Sequence, residues 1–125
     1  MIAAQPELAA RTAAPARADA ISGLAFDWLM ALLSTVFLGG LYLDGWAHNH
    51  GKVDQSFFTP WHAFFYAGFG LTALALLVTA AINWRRGYKG RAALPAGYGL
   101  ALLGATVFAM GGVGDLIWHT LFGIE

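Results

Sequence analysis

Three long apolar segments, separated by short polar stretches, constrain this chain more than any other feature of its sequence. They cover about residues 24–46, 60–84 and 95–122 of the 125 residues. About 20 apolar residues, at about 1.5 Å rise per residue, match the roughly 30 Å hydrocarbon core of a bilayer. The sequence therefore predicts an all-α integral membrane bundle of three transmembrane helices over residues 23–125, preceded by a mobile cytoplasmic leader over residues 1–22.

The composition excludes several other classes of protein. Hydrophobic residues make up 58% of the chain and charged residues only 11%, whereas about a quarter of the residues are charged in a typical soluble domain. The formal net charge is zero, so no basic surface for nucleic acid is indicated. The chain has no cysteine, which excludes disulfides and thiolate metal sites. Any metal would have to be held by imidazole and carboxylate groups.

The start of the second span is marked by Thr59 and Pro60. Threonine is a favourable N-cap residue because its hydroxyl accepts a hydrogen bond from an N–H of the first turn. Proline suits the first helical position, where its missing N–H is no loss. We therefore expect the second helix to begin at Pro60, with His62 entering the membrane in its first turn.

The basic residues predict the orientation of the chain. The loop over residues 49–59 contains only Lys52, whereas the leader and the turn before the third span contain all the others. Because cytoplasmic loops are enriched in Lys and Arg, the N-terminus should be cytoplasmic and the C-terminus outside, in a bacterial inner membrane. The basic residues on the predicted cytoplasmic side are Arg11, Arg17, Arg85, Arg86, Lys89 and Arg91.

This topology brings every histidine to the outer side of the membrane at a similar depth. Residues four apart on a helix share a face, so each Asp-x-x-x-His pattern directs its two side chains the same way. Ionisable groups near the membrane interior are costly unless they are paired or metal-bound, and such a cluster indicates a functional site. The candidate metal ligands are Asp44, His48, His62, Asp115 and His119.

Imidazole and carboxylate groups suit zinc, copper, iron or manganese. Two or three histidines with a carboxylate can fill a site and leave one position open to water or substrate, while the second carboxylate could instead orient a ligating imidazole. The alternative is a hydrogen-bonded latch between helices in a non-catalytic assembly subunit. His50 lies past the predicted end of the helix, and we expect it to be solvated.

An internal repeat relates the ends of the first and third spans. Residues 39–48 and 111–119 each contain a Gly pair followed by Asp-x-x-x-His with a Trp inside it. Only the first copy is followed by a Phe-Thr-Pro-x-His element. We therefore expect a duplication whose second copy is cut short. The chain would then be half of a longer ancestor, or would work as a homo-oligomer or with additional membrane subunits.

Residues 44–66 resemble part of a known family. Their Asp-Gly-x-x-His and Phe-Thr-Pro-x-His elements, with aromatic residues following, are similar to the C subunit of the membrane-bound methane and ammonia monooxygenases. The resemblance implies that Asp44, His48 and His62 bind a copper or zinc ion. Family subunits have more spans and work with two other subunits, and Asp115 and His119 have no assigned counterpart. Residues 114–125 also resemble longer uncharacterised bacterial membrane proteins with these motifs.

Taken together, these features predict a transition-metal site in the membrane, with copper as the expected metal and zinc or iron as alternatives. The site would belong to an oxidase-like or metal-handling complex. The residues support the site better than they support any particular reaction.

Overall fold

Long α-helices form almost all of the described structure. The computed structural model describes residues 18–52 and 58–122, and most of the predicted leader, with Arg11 and Arg17, lies outside these ranges. The helices are α1 (Leu24–Asn49), α2 (Pro60–Arg85) and α3 (Tyr98–Phe122), with a single 3₁₀ turn at Gly90–Ala93. No strand occurs within the two described ranges. The predicted all-α fold with three spans is confirmed.

Each helix is long and apolar enough to cross a bilayer. α1 and α2 contain 26 residues each and α3 contains 25. A helix of this length is about 38 Å long, which exceeds the roughly 30 Å hydrocarbon core. Many large apolar side chains on the outside of the bundle are exposed, including Leu32, Leu74 and Leu103. This surface suits contact with lipid, and the chain has the architecture of a multi-pass membrane protein.

The predicted start of α2 is confirmed, whereas the predicted start of α3 differs. Thr59 is the N-cap of α2, and its hydroxyl accepts a hydrogen bond of 3.3 Å from the backbone N–H of His62. α3 begins at Tyr98 rather than near Pro95. Leu94 is extended (φ −119°, ψ 153°), because the residue before a proline is disfavoured in the helical region. The chain must therefore turn before α3 can begin.

α1 and α2 pack backbone to backbone at two glycines. A Cβ atom added at Gly40 would lie 2.7 Å from the Cα of Phe65, and one added at Gly68 would lie 2.8 Å from the Cα of Phe37. The Phe37 and Phe65 rings stack across this contact, with centroids 5.5 Å apart. From α3, Phe108 meets both rings edge-on, at 5.1 and 5.5 Å. This aromatic cluster joins all three helices. It lies about one turn from His62 on α2 and about three turns from His48 on α1 and His119 on α3.

Polar contacts hold the opposite end of the bundle. Asn83 is almost fully buried (1% exposed). Its amide pairs with both backbone groups of Ile21, accepting at 2.7 Å and donating at 3.1 Å, and also donates to the carbonyl of Ala93 at 3.1 Å. The hydroxyl of Tyr98 donates to Asp27 Oδ1 at 2.8 Å and so ties α3 to α1. These contacts set how the helices are aligned at the end far from the candidate site.

Candidate metal site

Asp44 and His62 meet where the last turns of α1 face the first turn of α2. The Oδ1 atom of Asp44 lies 3.4 Å from Nε2 of His62. Both side chains are well shielded, with 15% and 13% of their surfaces exposed. Two local features place them there: the close approach of α1 and α2 at Gly40, one turn before Asp44, and the Thr59 cap that starts α2. The prediction from sequence that these two residues converge agrees with the geometry.

The Oδ1 atom of Asp44 is buried and makes no hydrogen bond among the described residues. His62 Nε2 is within ion-pair distance of it, but the two groups are not aligned for a hydrogen bond. A buried carboxylate oxygen without a hydrogen bond costs free energy, because it has lost its water without gaining a donor. A cation bound between Asp44 and His62 would remove that cost.

His48 lies beside this pair on α1. Its Nδ1–H donates to the backbone carbonyl of Asp44 at 2.9 Å, and Nδ1 is 3.9 Å from Asp44 Oδ2. The His48 and His62 ring centroids are 5.9 Å apart. A neutral imidazole that donates from Nδ1 carries its lone pair on Nε2. Nε2 is therefore the nitrogen through which His48 would bind a metal.

Asp115 and His119 form a second pair on α3. His119 Nε2 lies 3.3 Å from Asp115 Oδ1, and their side chains are 26% and 46% exposed, respectively. This pair is more open than Asp44 and His62, in keeping with α3, which has no buried residue. In both copies of the repeat, the Asp and His side chains therefore lie on the same face of the helix, as predicted.

Tyr66 lies between the Asp44–His62 pair and the Asp115–His119 pair. It was not among the residues predicted from the sequence. It is one helical turn after His62 on α2, and its ring centroid is 6.0 Å from that of His62. A Cβ at Gly112 would lie 3.2 Å from the Tyr66 ring and 3.4 Å from its hydroxyl, so Gly112 makes room for it. The i, i+4 spacing of Tyr66 from His62 could have indicated this position, because residues four apart share a helix face.

The five predicted ligands thus form two groups: Asp44 with His48 and His62, and Asp115 with His119. Atoms that share one ion at about 2 Å lie about 3.3 Å apart in a tetrahedral site. Asp44 and His62 meet this distance. Within the described residues no three His, Asp or Glu side chains are already arranged around a common metal position, so His48 would have to rotate to join the other two.

His50 stands apart from both groups. It follows the end of α1, where its Nδ1–H donates to the carbonyl of Trp46 at 2.8 Å. Its ring stacks on the Trp46 indole with centroids 4.5 Å apart, and the residue is exposed. This placement agrees with the expectation that His50 is solvated.

A cavity of about 390 Å³ opens beside His62. Its walls come from the segment before α2 and from the first two turns of that helix. They are formed by Phe58, Thr59, Pro60, His62, Ala63 and Tyr66. The candidate metal-binding group therefore has space next to it for another molecule.

Comparison with known proteins gave no relative. The chain matched no protein-family model, no curated protein and no solved structure. The resemblance over residues 44–66 therefore stays a hypothesis.

Proposed function

We propose that this chain is a bacterial inner-membrane protein in which Asp44, His48 and His62 bind one transition metal ion. The observation that carries the proposal is the Asp44 Oδ1 atom, which is buried, makes no hydrogen bond to any residue that the structure describes and lies 3.4 Å from His62 Nε2. An anionic oxygen and an imidazole nitrogen at that distance form the beginning of a coordination site. A bound cation would also offset the cost of burying the carboxylate.

Copper is the metal that this donor set favours. Imidazole nitrogens with one carboxylate suit copper, zinc and iron, and copper binds most tightly among the divalent first-row metals. Zinc and iron are the alternatives. When bound, such an ion would supply Lewis-acid or redox chemistry at an open position. With the resemblance over residues 44–66, this favours a role in an oxidase-like or metal-handling membrane complex, working as a homo-oligomer or with other membrane subunits.

The surrounding residues would orient the ligands. The carbonyl of Asp44 accepts the Nδ1 proton of His48, which places the lone pair on Nε2. Rotation of the ring would then bring Nε2 towards the other two ligands. The Thr59 hydroxyl holds the backbone of His62 in the first turn of α2. His119 would be a fourth ligand or an outer-shell partner, and Asp115, 3.3 Å away, would orient its imidazole.

The two ends of α2 support an outward-facing site. His62 lies in the first turn of the helix and Arg85 in the last. Arg86, Lys89 and Arg91 follow directly. The basic residues and the candidate site therefore lie at opposite ends of α2. If the basic end is cytoplasmic, as the positive-inside rule predicts, the metal would be taken up from the outer side.

A structural latch is the second candidate, favoured by the fact that Asp44 and His62 connect α1 to α2 directly. Here the two groups would form an ion pair that aligns the helices, and no metal would be needed. The latch predicts that metal-free protein has its full stability and that loss of the Asp44 charge destabilises it.

Elemental analysis of the purified protein tests the metal proposal. Wild-type protein prepared in chelator-free detergent should contain about one ion per chain, as expected for a single mononuclear site, and the His48→Ala/His62→Ala protein should contain none. His50→Ala is the matched control, because that histidine lies outside the group, and it should keep the ion. Retention of the same ion by the double variant would exclude the proposed site.

A further inference from the structure

The cavity beside His62 has the size of a small-molecule site. Its volume of about 390 Å³ falls within the range of about 300–1,000 Å³ that is usual for ligand pockets. It lies at the start of α2, where the chain enters the membrane, and Phe58 at its edge is 85% exposed. A molecule dissolved in the outer part of the bilayer could therefore reach it.

The walls of the cavity are mainly apolar, with a few polar atoms. Phe58, Pro60 and Ala63 contribute only apolar side-chain surface. The polar groups of the wall are the Thr59 hydroxyl, which accepts a hydrogen bond from the His62 backbone N–H, the His62 ring and the Tyr66 hydroxyl. Pockets of this type bind a mostly apolar ligand and orient it through one or two hydrogen bonds.

The electrostatics of the cavity disfavour an anion. Neither Lys nor Arg is among the described residues that line it, and the Asp44 carboxylate is 3.4 Å from His62. At the start of α2, Pro60 has no N–H and the N–H of His62 is bonded to Thr59, which reduces the number of backbone donors that an anion could use. A neutral ligand that can donate a hydrogen bond suits this environment best.

We propose that this cavity binds a neutral, lipid-soluble small molecule carrying a hydroxyl group, which hydrogen-bonds to Tyr66 and lies against His62. The inference rests on the proposed function in that the ligand would lie beside the metal-binding group. Tyr66 is then the residue that selects the hydroxyl, and Ala63 provides the space for the apolar part.

Photolabelling of the full chain in lipid nanodiscs tests the proposal. The probe is a benzyl alcohol carrying a trifluoromethyl aryl diazirine; the corresponding benzoic acid and the unsubstituted aryl diazirine serve as matched probes. Labelled residues are mapped by mass spectrometry. The alcohol should label residues 58–66 well above the lipid-facing background. The other two probes should not show this preference.

Variants of the cavity wall sharpen the test. Ala63→Phe fills the cavity and should reduce labelling of residues 58–66 by the alcohol about tenfold, and Tyr66→Phe, which removes one hydrogen bond, should reduce it several-fold. Ala67→Phe adds the same ring one turn further along α2, outside the cavity wall, and should have no effect. Labelling spread evenly over lipid-facing residues, or unchanged in Ala63→Phe, would overturn the proposal. Stronger labelling of residues 58–66 by the benzoic acid probe than by the alcohol would contradict a neutral ligand.

Elemental analysis of the same samples separates this inference from the metal proposal. Ala63→Phe leaves every proposed metal ligand in place and should keep the ion while losing the alcohol. His48 does not line the cavity, so His48→Ala should lose the ion and keep the preferential labelling. A wild-type protein without metal would refute the proposed function, while the labelling pattern would still decide whether the cavity binds the alcohol.

Discussion

The Oδ1 atom of Asp44 lies 3.4 Å from Nε2 of His62 and connects the last turns of α1 with the first turn of α2. The metal-site and latch proposals predict opposite effects of removing the Asp44 charge on the stability of metal-free protein. If Asp44 is a metal ligand, its carboxylate is unsatisfied in metal-free protein. Removing its charge should then not lower the stability of the metal-free form. In a latch, the charge itself stabilises the contact. The predictions that follow separate the two functions and test the packing that brings these residues together.

Asp44→Asn keeps the shape of the side chain and removes its charge. If Asp44 is a ligand, the variant should lose the ion, and its metal-free form should be as stable as metal-free wild type or more so. Adding metal at 100 times the Kd should stabilise wild type by about 2.7 kcal/mol and leave the variant unchanged. Thermal unfolding in detergent, with and without added metal, measures both effects.

The control for this variant is Asp115→Asn, which changes the carboxylate of the second pair and should retain the ion. A metal-free Asp44→Asn protein that is clearly less stable than metal-free wild type would favour the latch instead.

Gly40→Ala should destabilise the bundle. The new Cβ would lie 2.7 Å from the backbone Cα of Phe65, and a backbone atom cannot move aside as a flexible side chain can. Overpacking of this kind costs about 1–3 kcal/mol. It should also weaken metal binding, because α1 and α2 must separate next to Asp44. Denaturant unfolding in micelles and metal titration provide the two readouts.

Gly39→Ala is the matched control, because no atom lies within 4 Å of the Cβ added at that position. It should be neutral or stabilising by up to about 1 kcal/mol, since alanine is the better helix former. Equal effects of the two substitutions would show that the close approach at Gly40 does not hold α1 against α2.

Asn83→Ala should destabilise the opposite end of the bundle. Asn83 is buried and makes three hydrogen bonds to the backbone of Ile21 and Ala93. Their loss leaves buried backbone groups without partners, which should cost about 2–4 kcal/mol. Asn49→Ala removes an exposed amide that bonds only within α1 among the contacts described here, and should change stability by less than about 0.5 kcal/mol. A comparably small effect of Asn83→Ala would show that the Asn83 hydrogen bonds do not stabilise this end of the bundle.

Thr59→Ala should loosen the first turn of α2. It removes the acceptor for the His62 backbone N–H, and loss of an N-cap costs about 1 kcal/mol. Because the same turn carries His62, metal affinity should fall as well. Thr59→Ser retains the hydroxyl and should restore both properties. Thr106→Ala, whose exposed hydroxyl bonds back to Leu102 within α3, should change neither. Helicity measurements and metal titrations of wild type, Thr59→Ala, Thr59→Ser and Thr106→Ala test this prediction.

Much of the local structure could be predicted from the sequence, because the signals are themselves local. Apolar runs predicted the three helices, and Thr59 with Pro60 marked the start of α2 to the residue. The i, i+4 spacing predicted that Asp44 and His48, and likewise Asp115 and His119, would share a face. The start of α3 was missed because Pro95 suited a first helical turn, whereas Leu94 is held in an extended conformation before it.

Only the tertiary structure decided which of these groups meet. The sequence determined that all five ligand-type residues lie at one end of the helices, since that depends only on helix length and direction. How closely they converge depends on interhelical distance. Gly40 and Gly68 let α1 and α2 pack backbone to backbone, which brings Asp44 to His62. α3 packs less tightly and keeps Asp115 and His119 as a separate pair, with Tyr66 between the two groups.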